Sequence, residues 1–241
     1  MGTFSDYKFI TDLVNGPTAI HACDLDGDGD MDLISASRND DQIAWYENTD
    51  GMGTFGPQQI LSNWFWWAMD VSSSDIDGDG DLDILCVCSL QNKIAWFENL
   101  DGAGTFGPRQ DIFILREYNT IYACDLDGDN DQDFVTGAYG SNTITWHENL
   151  DGKGTFGPEN LLSSDAKYVM DVCAADIDGD GDNDIFGAVY GYSKIVWFEN
   201  TDGAGTFSSE MLFKDCYSVN ALQIDDLNGD DDLVVVSSSN G

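Results

Sequence analysis

Basic residues are scarce in this chain: 9 Lys and Arg stand against 45 Asp and Glu in 241 residues, for a net charge of −36. A polyanion of that strength repels phosphate backbones and anionic membrane surfaces, which excludes nucleic acid and membrane as partners. No apolar run reaches the roughly 18 residues that a membrane span requires. No signal-peptide pattern is visible after Met1. Only two histidines occur, His21 and His147, and neither sits in a catalytic or zinc-ligand spacing. A nucleophile elbow and a phosphate loop are also missing. The six cysteines form no disulfide framework. Cys23, Cys124 and Cys173 lie at or near the residue before an acidic loop, and Cys86 and Cys88 fall where other units carry small residues. They read as small buried side chains, a few of which could pair in a secreted protein. No stretch has a helical period, so helical fold classes are set aside.

What is abundant is an acidic loop broken by glycine. It reads DLDGDGDMD at Asp24–Asp32, DIDGDGDLD at Asp75–Asp83, DLDGDNDQD at Asp125–Asp133 and DIDGDGDND at Asp176–Asp184, with a damaged copy, DDLNGDDD, at Asp225–Asp232. Successive loops start 51, 50 and 51 residues apart. Gly-Thr-Phe recurs in step at Gly2, Gly53, Gly104, Gly154 and Gly205, and an Ile-x-Trp-x-Glu-Asn block at Ile43, Ile94, Ile144 and Ile195. A period near 50 points to a propeller or solenoid. Within a unit, Ala19–Cys23, Leu33–Ser37, Gln42–Glu47 and Phe55–Ile60 read as four strands between Gly/Asn/Asp turns. The predicted fold is all-β: a β-propeller of about five four-stranded blades, the fifth split between the termini.

The whole chain, 1–241, is expected to be one domain with repeats at about 11–60, 61–111, 112–161, 162–213, and 214–241 plus 1–10. At 42% hydrophobic residues it can bury a substantial core. The Trp-bearing third strand of the fifth unit is absent, which leaves either a three-stranded closing blade or a piece of a larger propeller.

Each intact loop places Asp at positions 1, 3, 5, 7 and 9: Asp24, Asp26, Asp28, Asp30, Asp32; Asp75, Asp77, Asp79, Asp81, Asp83; Asp125, Asp127, Asp129, Asp131, Asp133; and Asp176, Asp178, Asp180, Asp182, Asp184. Glycines at positions 4 and 6 let the backbone turn back so that alternate carboxylates converge, the oxygen set that calcium takes. Crowded like charges need a counterion. The loop begins like an EF-hand, but position 12 is Ser35, Cys86, Thr136 or Gly187 instead of Glu, and a strand follows. Asn130 replaces the second glycine in the third loop and tolerates a left-handed backbone. The fifth loop is read as about two residues short if Asp226 is position 1, or as starting on Ile224 if aligned on Asn228 and Gly229, and as binding weakly or not at all.

These units resemble the FG-GAP/VCBS repeats of integrin α-subunit propellers and of many surface proteins, over nearly the whole chain. The resemblance implies about four calcium sites, with side chains at positions 1, 3, 5 and 9 as ligands. Asp30, Asp81, Asp131 and Asp182 would supply main-chain oxygen. It implies an extracellular or cell-surface location, and it places the calcium loops on the bottom face.

The variable segments then fall on the top face, where binding is usually placed on a repeat scaffold. Trp64, Trp66, Trp67, Tyr118, Tyr168 and Tyr217 are the candidate ligand-binding residues there. Aromatics with polar neighbours such as Arg38 and Asn142 suit sugar or peptide recognition; plugging the central channel is the competing role. Trp45, Trp96, Trp146 and Trp197 recur at one position and read as inter-blade packing. His147 stands where other units have Tyr46, Phe97 and Phe198, so it also reads as packing. Glu47, Glu98, Glu148 and Glu199 form no catalytic pair. The sequence therefore supports a calcium-stabilised binding or adhesion module for carbohydrate or a surface protein and predicts no enzyme. A propeller of a polysaccharide-active lyase or hydrolase, and a purely structural repeat, are the alternatives.

Overall fold

A computed structural model describes residues 8–64, 67–113, 116–227, 229–230 and 232–239. Blade 1 holds β1 (Pro17–Cys23), β2 (Asp32–Ser37), β3 (Gln42–Tyr46) and β4 (Gln59–Ser62). Blade 2 holds β5 (Ala68–Ser74), β6 (Asp83–Cys88), β7 (Lys93–Phe97) and β8 (Gln110–Phe113). Blade 3 holds β9 (Thr120–Cys124), β10 (Asp133–Ala138), β11 (Thr143–His147) and β12 (Asn160–Ser163). Blade 4 holds β13 (Val169–Ala175), β14 (Asp184–Val189), β15 (Lys194–Phe198) and β16 (Met211–Asp215). A fifth sheet pairs β17 (Val219–Asp225) with β18 (Val234–Ser239). Every sheet is an antiparallel meander in chain order. The helical elements among the described residues are two 3₁₀ turns, Ser89–Gln91 and Tyr190–Tyr192, and no helix is long and apolar enough to cross a membrane.

The first strands of successive blades lie side by side around a central cavity, which residues from all five line, among them Ile20, Asp70, Ile121, Asp171 and Leu222. The second and third strands are buried on both faces. One face of blade 1 (Ile34, Ala36, Ile43, Trp45) packs on the opposite face of blade 2 (Ile84, Cys86, Ala95, Phe97). The same arrangement joins blades 2 and 3, blades 3 and 4, and blade 4 to β17. The fourth strand is shorter than its sequence pattern. Phe55 makes only an isolated bridge to Asn48, and regular pairing resumes at Gln59, after Pro57, which has no N–H to give.

Two contacts lock each blade to the next. A Cβ on Gly104, Gly154 or Gly205 would come within 2.6–2.8 Å of the rings of Trp45, Trp96 or Trp146 in the preceding blade. These glycines also sit at φ near +78°, so only glycine fits there. Phe106 and Phe207 meet Trp45 and Trp146 edge-on at 6.2 and 5.8 Å. Alongside, the Nδ2 groups of Asn99, Asn149 and Asn200 donate to the carbonyls of Leu25, Ile76 and Leu126 in the preceding blade, at 2.8–2.9 Å. Trp197 of blade 4 instead stacks on Phe186 within its own blade.

Among the described residues the fifth sheet has two strands. Most of the expected closing segment Gly2–Ile10 lies outside them. Its described end, Lys8–Ile10, pairs with no strand and borders a cavity of about 310 Å³ with Leu33 and Tyr46 of blade 1. None of the six cysteines is in a disulfide. Burial pushes the Cys23 and Cys88 thiols up to about 11, which makes them inert packing groups at neutral pH.

His147 packs as the sequence implied, stacked on Phe134 at 4.7 Å and edge-on to Tyr118 at 6.4 Å. Burial lowers its pKa from 6.5 to about 4. The unfolded chain therefore binds a proton that the folded chain refuses. Stability from this residue is complete above pH 6.5 and is lost as pH falls toward 4, with a slope of up to about 1.4 kcal/mol per pH unit. Substituting His147→Phe, the residue of blades 2 and 4, is expected to widen the stability gap over the parent between pH 7 and pH 5 in urea titrations; parallel curves would refute it. Gly104→Ala is expected to cost more than about 1 kcal/mol in the same assay.

Candidate functional site

Each acidic loop joins the first strand of a blade to the second. Position 9 is not loop at all: Asp32, Asp83, Asp133 and Asp184 are the first residues of β2, β6, β10 and β14, and all four are buried. Their carboxylates bind two separate backbone segments. Asp83 Oδ2 accepts the N–H of Ile76 at position 2 (3.0 Å), and Oδ1 accepts the N–H of Asn99 at the end of the third strand (2.8 Å). Asp32 does the same with Leu25 and Asn48, and Asp133 with Leu126 and Asn149. In blade 4, Asp184 keeps the bond to Asn200 (2.8 Å), and its Oδ2 is buried without a partner.

The rest of the loop folds over this anchor. Asp75 at position 1 accepts the N–H groups of Gly78, Asp79 and Gly80 at 2.8–3.1 Å. Asp24, Asp125 and Asp176 cap their loops in the same manner. The position-5 carboxylates of Asp28, Asp79, Asp129 and Asp180 accept the N–H of position 7. Asn130 takes φ 73°, the left-handed conformation expected of a glycine substitute.

Carboxylate oxygens of positions 1, 3 and 9 lie within 4.8 Å of one another in the first three loops, and those of Asp176, Asp178 and Asp180 in the fourth. Asp28, Asp79, Asp129 and Asp184, expected as side-chain ligands, are not in these groups. The carboxylates of Asp30, Asp81, Asp131 and Asp182 are aimed elsewhere: a Cβ on Gly51, Gly102, Gly152 or Gly203 would lie 2.3–2.4 Å from them. The repeat resemblance gives these four residues main-chain oxygens as ligands.

The residues fit a hard cation. One buried carboxylate oxygen in each loop has no hydrogen-bond partner: Asp24 Oδ1, Asp77 Oδ1, Asp127 Oδ1 and Asp184 Oδ2. A buried anionic oxygen without a donor is costly, and a cation removes that cost. Burial, with added repulsion from neighbouring carboxylates and against the pull of the backbone N–H bonds, pushes Asp83 and Asp133 up to about 7. Burial also raises Asp184 to about 6. Asp127, beside Asp129, rises to about 6 as well. An all-oxygen donor set selects calcium-like ions over zinc.

The fifth loop is not short. Asp225 pairs with Val234 as Ala175 pairs with Asp184, so Asp226 is position 1 and Val234 is position 9. The loop keeps its length and loses the anchor carboxylate to valine. Asp226 still caps Gly229 at 2.7 Å. Asn228, at position 3, lies outside the described residues.

On the opposite face, the turns between second and third strands meet the connections between blades. Arg38, Trp67, Met69, Glu117, Asn119 and Tyr139 are among the residues that line a cavity of about 340 Å³. The Arg38 guanidinium lies 5.5 Å over the Trp67 ring, and Tyr139 stacks on Tyr168 at 4.6 Å. Asn119 Oδ1 holds the Tyr139 N–H at 2.6 Å. Of the expected aromatics, Trp64 and Tyr217 are 70% and 75% exposed, and Trp67 is 45% exposed. Trp66 lies outside the described residues. Tyr118 is corrected: it is fully buried, its hydroxyl bonded to Thr145 and Glu159 at 2.8 Å, and it offers no ring to a ligand.

Two functional-looking carboxylates escaped the sequence reading. Asp70 and Asp171 line the central cavity, and each accepts the N–H of the following blade's first strand, Ile121 (3.0 Å) and Leu222 (2.8 Å). Burial pushes Asp70 up to about 7. Their signal was the repeated Met-Asp-Val at Met69 and Met170, where other units have Ala19, Thr120 or Ala221.

The FG-GAP-like repeat family matches this chain four times, over residues 24–86, 75–136, 125–187 and 176–237. No curated protein matches the sequence. Among solved structures, an Agrocybe aegerita lectin, described for its specific recognition of non-reducing terminal N-acetylglucosamine, superposes with a TM-score of 0.62 at 22% identity over 91% of this chain. BBS1N in its complex with ARL6DN superposes with a TM-score of 0.56 at 13% identity over 87%. The chain spans 60% and 61% of those two proteins.

A cation held by these loops would compete with protons for the raised carboxylates. Without a cation the folded chain binds protons that the unfolded chain has released, so stability falls as pH rises from the ordinary carboxylate range through about 7. Melts in EDTA are expected to drop between pH 5.5 and pH 8, and millimolar calcium to abolish the drop. Calcium at about 100 times its dissociation constant adds about 2.7 kcal/mol per site. Asp83→Asn is expected to lower the calcium-loaded melting temperature far more than Asp81→Asn; equal effects would refute the anchor role of position 9.

Proposed function

Since the chain belongs to the FG-GAP-like repeat family, we propose that it is a calcium-stabilised carbohydrate-binding module working outside the cell or at its surface. The observation that carries this reading is the cavity where Arg38, Trp67, Glu117, Asn119 and Tyr139 come together. Sugar sites need this mixture: flat aromatic faces for the C–H side of a pyranose, and fixed polar groups for its hydroxyls. The cavity sits on loops that a rigid scaffold presents, and Asn119 and the Arg38–Trp67 contact hold its walls in place. The similar lectin shares the fold at 22% identity, so it illustrates a propeller used for sugar binding, and the local cavity carries the reading.

A binder is favoured over an enzyme. The buried carboxylates Asp70 and Asp171 are occupied in accepting backbone N–H groups, which leaves them poor candidates for an acid–base pair.

A glycan array probed in millimolar calcium tests the proposal. Binding is expected in calcium, with at least a tenfold loss in Trp67→Ala and loss in EDTA. Silence from a protein whose calcium-dependent melt shows it folded would reject carbohydrate recognition and favour a protein partner.

A further inference from the structure

We propose that a second groove on the same face binds a carboxylated pyranose, a sugar of the hexuronate type. For the sugar ring this rests on the carbohydrate reading; for the anion it stands on its own geometry. The groove lies where blade 1 meets blade 2. It is lined by Ser62 at the end of β4, Trp64 in the connection, Gln91 in the 3₁₀ turn, Lys93 at the start of β7 and Arg109 just before β8, around about 680 Å³ of space.

Its charge is the exception in a molecule of net charge −36. Two of the nine basic side chains converge here on one carboxylate. Lys93 Nζ and Arg109 Nε both bond Asp111, the latter at 2.8 Å. In the neighbouring blades Arg116 pairs with Glu159, and Lys194 with Glu210. The Lys93 and Arg109 side chains are 26% and 29% exposed, and both line the groove. Arg109 Nη2 donates to Asp111 Oδ2 at 3.3 Å, the oxygen that Lys93 also meets, so a ligand carboxylate would share both cations with Asp111.

The second component is Trp64, 70% exposed. Its backbone is tied on both sides: its N–H donates to Ser62 Oγ at 3.4 Å, and its carbonyl accepts Gln91 Nε2 at 3.3 Å. An indole on an anchored backbone gives a pyranose an apolar platform. A bare anion would use the cations and ignore the ring; a neutral sugar would use the ring and ignore the cations. A sugar carboxylate uses both.

Titration calorimetry with trigalacturonate, its methyl ester and inorganic phosphate, all in 1 mM calcium, tests this. The acid is expected to bind at least tenfold more tightly than the ester. Arg109→Met and Trp64→Ala should each lose at least tenfold, while Trp67→Ala keeps acid binding. Asp111→Asn, which removes the competing carboxylate and keeps the shape, should bind the acid at least as well as the parent. Equal binding of acid and ester, or an unchanged affinity in folded Arg109→Met, overturns the proposal. Phosphate binding that matches the acid and does not respond to Trp64→Ala makes the groove a simple anion site and also overturns it. Neutral glycans that bind through Trp67 while the acid does not bind would sink this groove and leave the first cavity standing.

Discussion

A carboxylate placed at the start of a buried strand must be met by donors, and the position-9 aspartates are where this chain meets that demand. Asp32, Asp83 and Asp133 each spend one oxygen on the second residue of their own loop and the other on the asparagine that ends the third strand. Loop, second strand and third strand are therefore tied through one side chain. Burial raises the cost of its charge, and the cation that the loop can hold offsets that cost. Where valine takes the position, at Val234, the acidic character of the loop persists without this anchor.

Much of this was legible in the sequence. The 50-residue period, the strand count and the acidic loops all follow from residues repeated four times, and repetition is a signal that local propensity lacks. The recurring tryptophans were legible as inter-blade packing for the same reason. What the sequence did not show was the division of labour within the loop. Five aspartates look alike in a string. Only the fold reveals that position 9 serves the strands, position 1 caps the turn and position 7 faces away. Spacing between acids makes the fifth loop look short, whereas strand pairing sets its length. Tyr118 was misplaced among the top-face aromatics because its burial depends on a long-range bond to Glu159. Asp70 and Asp171 were missed because they break the repeat, and their partners lie 51 residues away.

The two faces divide the chemistry. The acidic loops gather on one side, where their carboxylates tie strands together. Arg38, Lys93, Arg109 and the exposed indoles gather on the other. A small number of basic residues placed together thus gives local positive character to a molecule that is negative elsewhere.

The asparagine bridges add something that no single blade contains. Asn99 is held by Asp83 of its own blade and in turn holds the Leu25 carbonyl in the loop of the blade before it, and Asn149 and Asn200 repeat the arrangement. The loops thus form a one-dimensional lattice with nearest-neighbour coupling. An ion filling one site would stiffen the loop next to it, which would make ion uptake along the row steeper than four independent equilibria, and a lesion at a middle blade would cut the row into two shorter segments.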